Sequence, residues 1–493
     1  MTAPTLLGLD LGTSSVKVVV TDPDGRLLSE VSRAYEVESA NVGWAESDPR
    51  TWWRETVLAV REAVAKARDG GAASPSAVGL SGQMHGVVLA DAALEPVRPA
   101  ILWPDARASV VMGAYERLGS GALARLANPV IPGLAGPILL WLRRFDESTL
   151  ASARWALQPK DWLRARMTGV VLTEPSDASA TLLYDVPGER WDTEVIEALG
   201  LDQALFAPLV SWAGDSAGHL TSEAADELGL TPGIQVAAGA GDTAAAMIGR
   251  GWREGGGLQL TLGTGGQIVN AVDQPARAGQ GTTLFRTAAR HGWYVMAATT
   301  NAGLALDWVR TVLAASWEEL YAAAASPVAV TDPLFLPHLT GERTPWLDPS
   351  MRGSWVGLAL AHGRTTLLRA ALEGVAFAVR TAMDEVGGPG SPSVIRLAGG
   401  GSTDLAWRQL LADVLGRPLD AVDATAASGR GAALLGGCAA GLVDEASVFG
   451  RLAPTTRRVA DPRADHSELT AARYELWLKH VTASRQMTSG AAP

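Results

Sequence analysis

The sequence carries one short glycine-threonine pattern twice, and the spacing of the two copies constrains the fold more than any other feature. Residues 11–14 (LGTS) and 262–265 (LGTG) lie 251 positions apart in a chain of 493 residues. Each copy follows an apolar run that predicts a strand and precedes another such run. An offset of about half the chain predicts two related domains, each with a turn whose backbone N–H groups suit a phosphate oxygen. We therefore expect a nucleotide in a cleft between the domains.

Length and charge limit the classes of protein to which the chain can belong. At 493 residues the chain exceeds the size at which one core keeps growing, and two domains of roughly 200–250 residues fit that scaling. The net charge of −11 is spread without a long block of one sign, which argues against nucleic acid and membrane surfaces as partners. We expect small-molecule partners, with a homodimer as the candidate assembly.

Cysteine usage and the N-terminus predict a reducing compartment, the cytoplasm. The single cysteine, Cys438, excludes an intramolecular disulfide and lies in residues 431–441, whose small and apolar composition predicts a buried helix. The N-terminus shows no basic segment followed by an apolar stretch and a cleavage site, and no window approaches the roughly 18 uninterrupted apolar residues of a membrane span.

Strand and helix signals alternate in both halves and predict an α/β protein of layered domains. Apolar and β-branched runs predict strands at residues 5–9, 16–21, 77–80, 87–90, 233–238, 258–262, 267–272 and 394–398. Helical periodicity predicts helices from Pro49 to about Asp69 with Asp48 as N-cap, over 366–386, and over 404–415 with Ser402 as cap.

We place the domain boundary near residue 246. Residues 239–243 (GAGDT) follow a predicted strand and lead into alanines, so the chain changes from strand to helix there, and the second hairpin starts soon afterwards. The predicted domains are residues 1–245 and 246–487. The small, polar residues 488–493 predict a disordered tail.

Two carboxylates stand where a cleft would use them. Asp10 ends the first strand directly before the first turn, a position that suits Mg²⁺ bound through water, although a turn aspartate bonded to its own loop fits equally. Asp242 lies between glycines and a helix start, where it either reaches an open cleft or caps the helix. With an ordinary pKa of about 3.9 it would be ionised and able to accept a proton from an attacking hydroxyl.

Several common catalytic motifs are absent or out of context. The sequence lacks G-x-x-x-x-G-K-[ST], and no G-x-G-x-x-G follows the first strand, which argues against P-loop and Rossmann proteins. The histidines form no H-E-x-x-H or close pair, which argues against a zinc hydrolase. One G-x-S-x-G match, residues 214–218, lacks a helix starting at its serine.

Taken together, segments along most of the chain resemble the FGGY family of carbohydrate kinases within the actin/Hsp70/hexokinase superfamily. They are residues 8–14 (GLDLGTS), 44–53 (WAESDPRTWW), 81–86 (SGQMHG), 158–169 (QPKDWLRARMTG), 239–242 (GAGD), 341–345 (GERTP), 373–375 (EGV), 399–401 (GGG) and 407–409 (WRQ). The resemblance implies two ribonuclease-H-like domains of the actin/hexokinase/Hsp70 type with an interdomain cleft. SGQMHG together with GERTP is the specific part of the pattern.

Carried over position by position, the resemblance implies ATP-dependent phosphorylation of the terminal hydroxyl of a pentulose, and D-xylulose is the substrate that it favours. Asp242 would act as base on that hydroxyl, and Asp10 and Asp242 would hold Mg²⁺, through water. The residues implied to contact the sugar are Met84, His85, Trp103, Asp242 and Thr243, although Met84, His85 and Trp103 also suit plain packing. The residues implied to bind ATP are Thr13, Ser14, Ser15, Lys17, Gly263, Thr264, Gly303, Gly400 and Gly401.

Departures from the family pattern keep alternatives open. Thr243 stands where Asn is common, Gly265 replaces a serine of the second turn, and Ala135 and Ile138 replace Thr and Lys. Thr243 leaves another ketose or a polyol as substrate, such as ribulose, ribitol or a glycerol-like alcohol. A non-catalytic sugar or nucleotide sensor and an actin/Hsp70-like ATPase are the alternatives from other classes. The presence of both carboxylates argues against a non-catalytic relative.

Overall fold

The chain forms two α/β halves, each built on a mixed sheet. The computed structural model describes residues 3–251, 257–275, 279–387, 393–422, 425–446 and 456–489. The strands of the first half are β1 (Thr5–Leu11), β2 (Ser15–Thr21), β3 (Leu27–Ala34), β4 (Glu46–Ser47), β5 (Pro75–Gly82), β6 (Val88–Ala90), β7 (Ala100–Ile101), β8 (Trp155–Leu157), β9 (Tyr184–Asp185), β10 (Arg190–Trp191), β11 (Ser216–His219), β12 (Gln235–Ala237) and β13 (Ala240–Gly241). Its helices are α1 (Pro49–Asp69), α2 (Gly113–Glu116), α3 (Ser120–Leu126), α4 (Ala135–Phe145), α5 (Glu147–Ser152), α6 (Pro159–Thr168), α7 (Pro175–Ala178), α8 (Thr193–Ala198), α9 (Ser222–Leu228) and α10 (Asp242–Gly249).

The second half repeats the mixture of strands and helices. Its strands are β14 (Leu258–Leu262), β15 (Gly266–Val272), β16 (Thr283–Arg286), β17 (Trp293–Thr299), β18 (Leu334–Leu336), β19 (Ser354–Val356), β20 (Ile395–Ala398), β21 (Leu419–Val422) and β22 (Thr456–Ala460). Its helices are α11 (Gly303–Val312), α12 (Trp317–Ala322), α13 (Arg364–Val386), α14 (Leu405–Leu415), α15 (Ala427–Ala439) and α16 (Ser467–Ser489). Among the described residues, no helix is both long and apolar enough to span a bilayer.

The first sheet runs β11-β12-β5-β1-β2-β3, and the second runs β16-β17-β15-β14-β20-β21-β22. When the first sheet is read from its other end, its order β3-β2-β1-β5-β12 corresponds to β17-β15-β14-β20-β21 of the second, which explains the duplicated turn. In each sheet an antiparallel hairpin, β1–β2 or β14–β15, lies beside strands parallel to its first member. Each hairpin carries one of the two Gly-Thr turns. The two ribonuclease-H-like domains expected from the sequence are confirmed.

The sequence of β1 shows why this strand is central. Its residues are almost all apolar because both of its faces are buried, and it lies between its antiparallel neighbour β2 and its parallel neighbour β5. Leu7 and Leu9 pack in the first core with Trp52 of α1 and Trp162 of α6, whereas Leu6 joins a different cluster on the opposite face. This burial holds the end of β1, and the residues that follow it, in a fixed position.

A helix from the second half covers that opposite face of the first sheet. Helix α15 packs on β1, on β5 and on α10. A Cβ at Gly8 would overlap the carbonyl oxygen of Gly429, and a Cβ at Gly79 would overlap that of Ala432, so only glycine permits this approach. Helix α10 shares a hydrophobic cluster with Phe285 and other residues of the second sheet. The two halves therefore build a common core.

The observed elements match the predicted strands and helices within a few residues, with particular differences. Ser402 was wrongly predicted as a helix cap: Asp404 caps α14 by accepting the N–H of Trp407 at 3.0 Å, and the Ser402 hydroxyl donates to the Gly399 carbonyl. The predicted boundary near residue 246 falls inside α10, and the domain limits stay a prediction. Helix α16 continues to Ser489, and residues 490–493 of the predicted tail lie outside the described residues.

Candidate active site

The carboxyl ends of three neighbouring strands bring the two predicted carboxylates together. Asp10 of β1 lies in register with Ser81 of β5, and Ser81 lies in register with Ala240 of β13. The Ser81 hydroxyl donates to Asp10 Oδ1 at 2.7 Å. Helix α10 begins at Asp242, two residues after Ala240. Ligands of open α/β sheets bind outside the carboxyl ends of the strands, which is where these side chains lie.

Burial makes ionisation of both carboxyl groups less favourable, and the charge of Asp10 adds to this effect at Asp242. Burial raises the pKa of Asp10 despite the Ser81 hydrogen bond and the charge of Lys17. Burial and then the charge of Asp10 raise the pKa of Asp242 to about 6, against hydrogen bonds from Thr243 that lower it. The expected ordinary pKa of Asp242 was therefore wrong, because the sequence shows neither burial nor the like charge. Perturbed carboxyl pairs of this kind are typical of catalytic sites.

A buried ion cluster fixes the segment that leads to Asp242. Lys160 Nζ lies 2.7 Å from Asp161 Oδ1, 3.3 Å from Glu174 Oε1 and 3.2 Å from Asp177 Oδ2. Glu174 accepts the hydroxyl of Ser176, and that hydroxyl accepts the N–H of Gly241 at 3.1 Å. A chain of buried polar contacts thus runs from α6 to the residue before Asp242.

His85 follows β5 with a strained backbone and a defined tautomer. Its φ is 75°, uncommon for a residue with a side chain and a feature that clusters at functional sites. Its Nδ1 lies 2.9 Å from the carbonyl oxygen of Ala180. Because a carbonyl only accepts, Nδ1 carries the proton and Nε2 is an acceptor. Burial lowers the pKa of His85 to about 4, so the ring is neutral near pH 7.

Met84 and Trp103, two predicted sugar contacts, differ in burial and in their partners. The Met84 side chain is 5% exposed, and a Cβ on Gly241 would lie 2.8 Å from its sulfur, so Met84 packs against the residue before Asp242. Trp103 is 44% exposed, and its indole N–H donates to Thr13 Oγ1 at 2.9 Å. This bond links Trp103, a predicted sugar contact, to the first Gly-Thr turn.

The other predicted residues of the first turn follow Asp10 along the β1–β2 hairpin. The N–H of Gly12 donates to the carbonyl of Ser15 at 2.9 Å, which closes the turn. Ser14 is exposed at the tip. Lys17 lies opposite Asp10 in the β1–β2 register, and its Nζ is 3.7 Å from Glu30 Oε1.

A cavity of about 360 Å³ lies in the second half beside the second turn. It is lined by Leu262, Gly263, Ala302, Gly303, Leu306, Trp317, Tyr321, Val375, Gly400, Gly401, Thr403 and Trp407. The structure thus brings four predicted ATP-binding glycines into one space with apolar and aromatic walls, a setting that suits a purine ring. Thr264 does not line it; its carbonyl accepts the N–H groups of Ala302 and Leu304.

The second half also supplies a wall to the sugar region, which sequence reasoning missed. Gln267 Nε2 donates to Thr243 Oγ1 at 3.2 Å, and the ring of Phe285 lies 5.9 Å from that of His85. The hydroxyl of Tyr294 donates to the sulfur of Met84 at 3.9 Å. These residues alternate along ordinary antiparallel strands, so only the packing of the two halves reveals them. Trp317, Tyr321 and Trp407 of the cavity were missed as well.

The structure shows the contacts of two residues that depart from the family pattern, Thr243 and Ile138. The Thr243 hydroxyl donates to Asp242 Oδ1 at 3.1 Å and accepts from Gln267, so it links the first half to the second. Ile138 lies on α4, is fully buried, and packs in a cluster with Leu139 and other apolar residues. This position therefore belongs to the core.

Comparison with known proteins agrees with this geometry. The model of the N-terminal domain of the FGGY family of carbohydrate kinases matches residues 5–249, and the model of its C-terminal domain matches residues 258–440. The chain is 32% identical to the xylulose kinase of Bacillus subtilis over 443 residues, 87% of each chain. It is 35% identical to the xylulose kinase of Klebsiella pneumoniae over 419 residues, 84% of this chain and 85% of that protein.

A solved structure supports the same assignment over the whole length. The crystal structure described as a xyloylose kinase from Brucella ovis superimposes with a TM-score of 0.89 at 32% identity, covering 98% of this chain and 100% of that chain. Both family domains match, and they follow one another along the chain in the expected order. The chain therefore belongs to the FGGY family of carbohydrate kinases.

Proposed function

We propose that this kinase transfers the γ-phosphoryl group of ATP to the terminal hydroxyl of D-xylulose, forming D-xylulose 5-phosphate. The observation that carries the proposal is the pair Asp10 and Asp242, which lie at the strand ends near enough for the charge of one to raise the pKa of the other. The relatives with 32% and 35% identity, whose names specify xylulose, support this sugar as substrate.

Asp242 acts as the general base in this mechanism. Its carboxylate orients the C5 hydroxyl and takes the proton as the hydroxyl oxygen attacks the γ-phosphorus in line. The bond between that phosphorus and the β–γ bridging oxygen breaks, and ADP departs with the electron pair. Phosphoryl transfer has a loose transition state, so positioning and charge stabilisation contribute most of the rate.

The donor set fits Mg²⁺ held by few protein ligands. Within the described ranges, no group of three or more His, Cys, Asp or Glu forms a ready-made metal cage. Two carboxylates with phosphate oxygens and water are the arrangement that Mg²⁺ prefers. Asp10 and Asp242 would hold the ion through water, and when bound, Mg²⁺ would neutralise charge on the phosphate oxygens.

The nucleotide is proposed to bridge the two predicted domains. Residues 1–245 would bind the sugar and, through Thr13, Ser14, Ser15 and Lys17, the β- and γ-phosphates. Residues 246–487 would hold the rest of ATP through Gly263, Thr264, Gly303, Gly400 and Gly401. The cavity beside the second turn supports this division, because four of these five residues line it.

Production of ADP against a sugar panel tests the proposal. D-xylulose, D-ribulose, ribitol, glycerol and gluconate are compared by kcat/KM with ATP and Mg²⁺, and D-xylulose is expected to give the highest value. Thr243 favours one second candidate, a kinase for another ketose or polyol, because its hydroxyl replaces the more common amide beside Asp242. A higher kcat/KM for another sugar would replace the proposed substrate by that one.

We also propose a cytoplasmic location and a homodimeric assembly. The cytoplasm holds the ATP that the reaction consumes, and the single cysteine of the chain suits a reducing compartment. Fractionation of cells that produce the protein tests the location. Light scattering of the purified protein tests the assembly, and a monomer mass would remove the dimer from the proposal.

A further inference from the structure

The GERTP loop, residues 341–345, is tied to the end of β17 on both sides of its arginine. The carboxylate of Glu342 accepts the N–H of Thr300 at 2.6 Å and that of Arg343 at 2.9 Å. The N–H of Thr344 donates to the Ala298 carbonyl at 3.0 Å, and its hydroxyl donates to the Gly281 carbonyl at 2.8 Å. These contacts fix the backbone from which the Arg343 side chain projects.

The Arg343 side chain itself forms no hydrogen bond or ion pair with the residues that the structure describes. The side chain is partly buried, and burial lowers the pKa of its guanidinium while the charge of the neighbouring Glu342 raises it. Buried arginines normally donate to carbonyl or carboxylate acceptors, so donors without such acceptors on a fixed backbone are available to a ligand. Arg473 shows the usual case, since it donates to Glu373 and to the carbonyls of Ala329 and Asp332. Arg343 lacks such acceptors on a loop that is otherwise fully tied.

The loop stands at the end of the sheet face that walls the sugar region. Ala298, which binds Thr344, pairs with Gln267 across the β15–β17 ladder, and Gln267 reaches Thr243. Phe285, on the neighbouring strand, contacts the ring of His85. Arg343 lies near enough to His85 for its charge to lower the pKa of that ring. Together with the contacts of its loop, this places Arg343 beside the His85 side of the sugar region.

We infer that Arg343 binds the carbonyl end of the ketose, opposite to the hydroxyl that is phosphorylated; the inference rests on the proposed function and deepens it. A guanidinium only donates, whereas Nε2 of His85 only accepts. A 2-ketose presents a matching pair at one end, a carbonyl oxygen beside hydroxyls at C1 and C3. A polyol has a hydroxyl in place of the carbonyl and matches less well. Arg343 and His85 thus contribute to substrate specificity from opposite halves.

The ratio of kcat/KM for D-xylulose to that for xylitol tests the role of Arg343. The variant Arg343→Met is expected to lose about 10²-fold in kcat/KM for D-xylulose and about tenfold or less for xylitol, so the ratio falls about tenfold. Arg352→Met is the matched control, because the exposed Arg352 binds only nearby carbonyls. Its ratio is expected to stay at the wild-type value.

The outcomes separate this inference from the proposed substrate. An Arg343→Met enzyme whose two kcat/KM values fall by the same factor would show a structural role and overturn the inference. If that variant fails to fold, as judged by its Tm, Arg343→Lys takes its place. Lysine keeps the positive charge but lacks the planar set of guanidinium donors, so this variant must still lower the ratio. If wild type prefers another sugar, the proposed function fails, and the ratio is measured for that sugar and its reduced form. An unchanged ratio there overturns the inference as well.

Discussion

The two Gly-Thr turns occupy equivalent places in two copies of one fold, yet their surroundings differ. The N–H of Gly12 donates to Ser15 and that of Gly263 donates to Gly265, in both cases at 2.9 Å. Asp10 lies two residues before Gly12 of the first turn, and Thr261 lies two residues before Gly263 of the second. The first turn lies under Trp103 next to the carboxylates, whereas the second opens into a cavity of about 360 Å³.

This difference indicates that the two copies of the fold have different proposed roles in the reaction. The backbone N–H groups of the turn are present in both copies and suit phosphate in both. The carboxylates that we propose to hold metal and to accept a proton lie beside the first copy, and the apolar and aromatic walls that we propose to hold a purine lie beside the second. The proposed roles therefore predict that substitutions near the first turn alter kcat and that substitutions near the second alter the KM for ATP.

The largest effect is expected at Asp242. Asp242→Ala should lower kcat by roughly 10²–10⁴, the range for loss of a general base. Its Tm should not fall, because the raised pKa means that the folded state disfavours the carboxylate. Asp48→Ala is the control, since Asp48 caps α1 through the N–H of Arg50. It should lower Tm and leave kcat unchanged. Near-normal turnover of Asp242→Ala would remove Asp242 as the base.

The next effect compares Asp10 with its counterpart Thr261. Asp10→Asn should lower kcat by about 10²-fold, because a charge beside the transferring phosphate is lost. Thr261→Val should change kcat by less than about threefold, since this hydroxyl only accepts from Gln259 at 3.4 Å. Steady-state kinetics with D-xylulose and ATP measure both. Equal losses in the two variants would contradict the division of roles.

A smaller effect is expected on nucleotide binding at Gly400. A Cβ there meets no protein atom within 4 Å, so Gly400→Ala should keep the wild-type Tm while raising the KM for ATP about tenfold by entering the cavity. The adjacent Gly399 has φ of 96°, and a Cβ on it would overlap the Leu262 carbonyl, so Gly399→Ala should lower Tm. An unchanged KM for Gly400→Ala would place ATP elsewhere.

The smallest effect is the pH dependence of the first-half carboxylates. Because Asp242 must be ionised to accept a proton and its pKa is raised to about 6, kcat/KM for the sugar should fall as pH drops through 6. Between pH 7 and 5.5 the value of kcat/KM for the sugar is expected to decrease about fourfold. The KM for ATP is expected to stay the same over this range. A flat profile down to pH 5 would contradict the raised pKa.

Local sequence patterns were enough to predict the two α/β domains and the strand-end carboxylates. Asp10 lies near the end of one apolar run and Asp242 lies a few residues after another, so their positions depend on short-range signals. The pKa of Asp242 could not be predicted, because it depends on burial and on a charge 232 positions away. Phe285 and Tyr294 could not be predicted as a pocket wall, since they alternate like any strand residues. With 17 tryptophans in the chain, no signal marked Trp317 or Trp407 as cavity residues.

The contact between α15 and the first sheet has a consequence for protein engineering. Gly8 and Gly79 admit the backbone of a helix that the chain supplies more than 340 positions later. If the two halves were produced from separate genes, the first fragment would expose the sheet face that α15 covers. The second fragment would expose the surface of α15 that packs on this sheet. We expect each fragment to aggregate alone and the pair, produced together, to reassemble. Exchange of single halves between relatives would need the glycines of both surfaces to be transferred together.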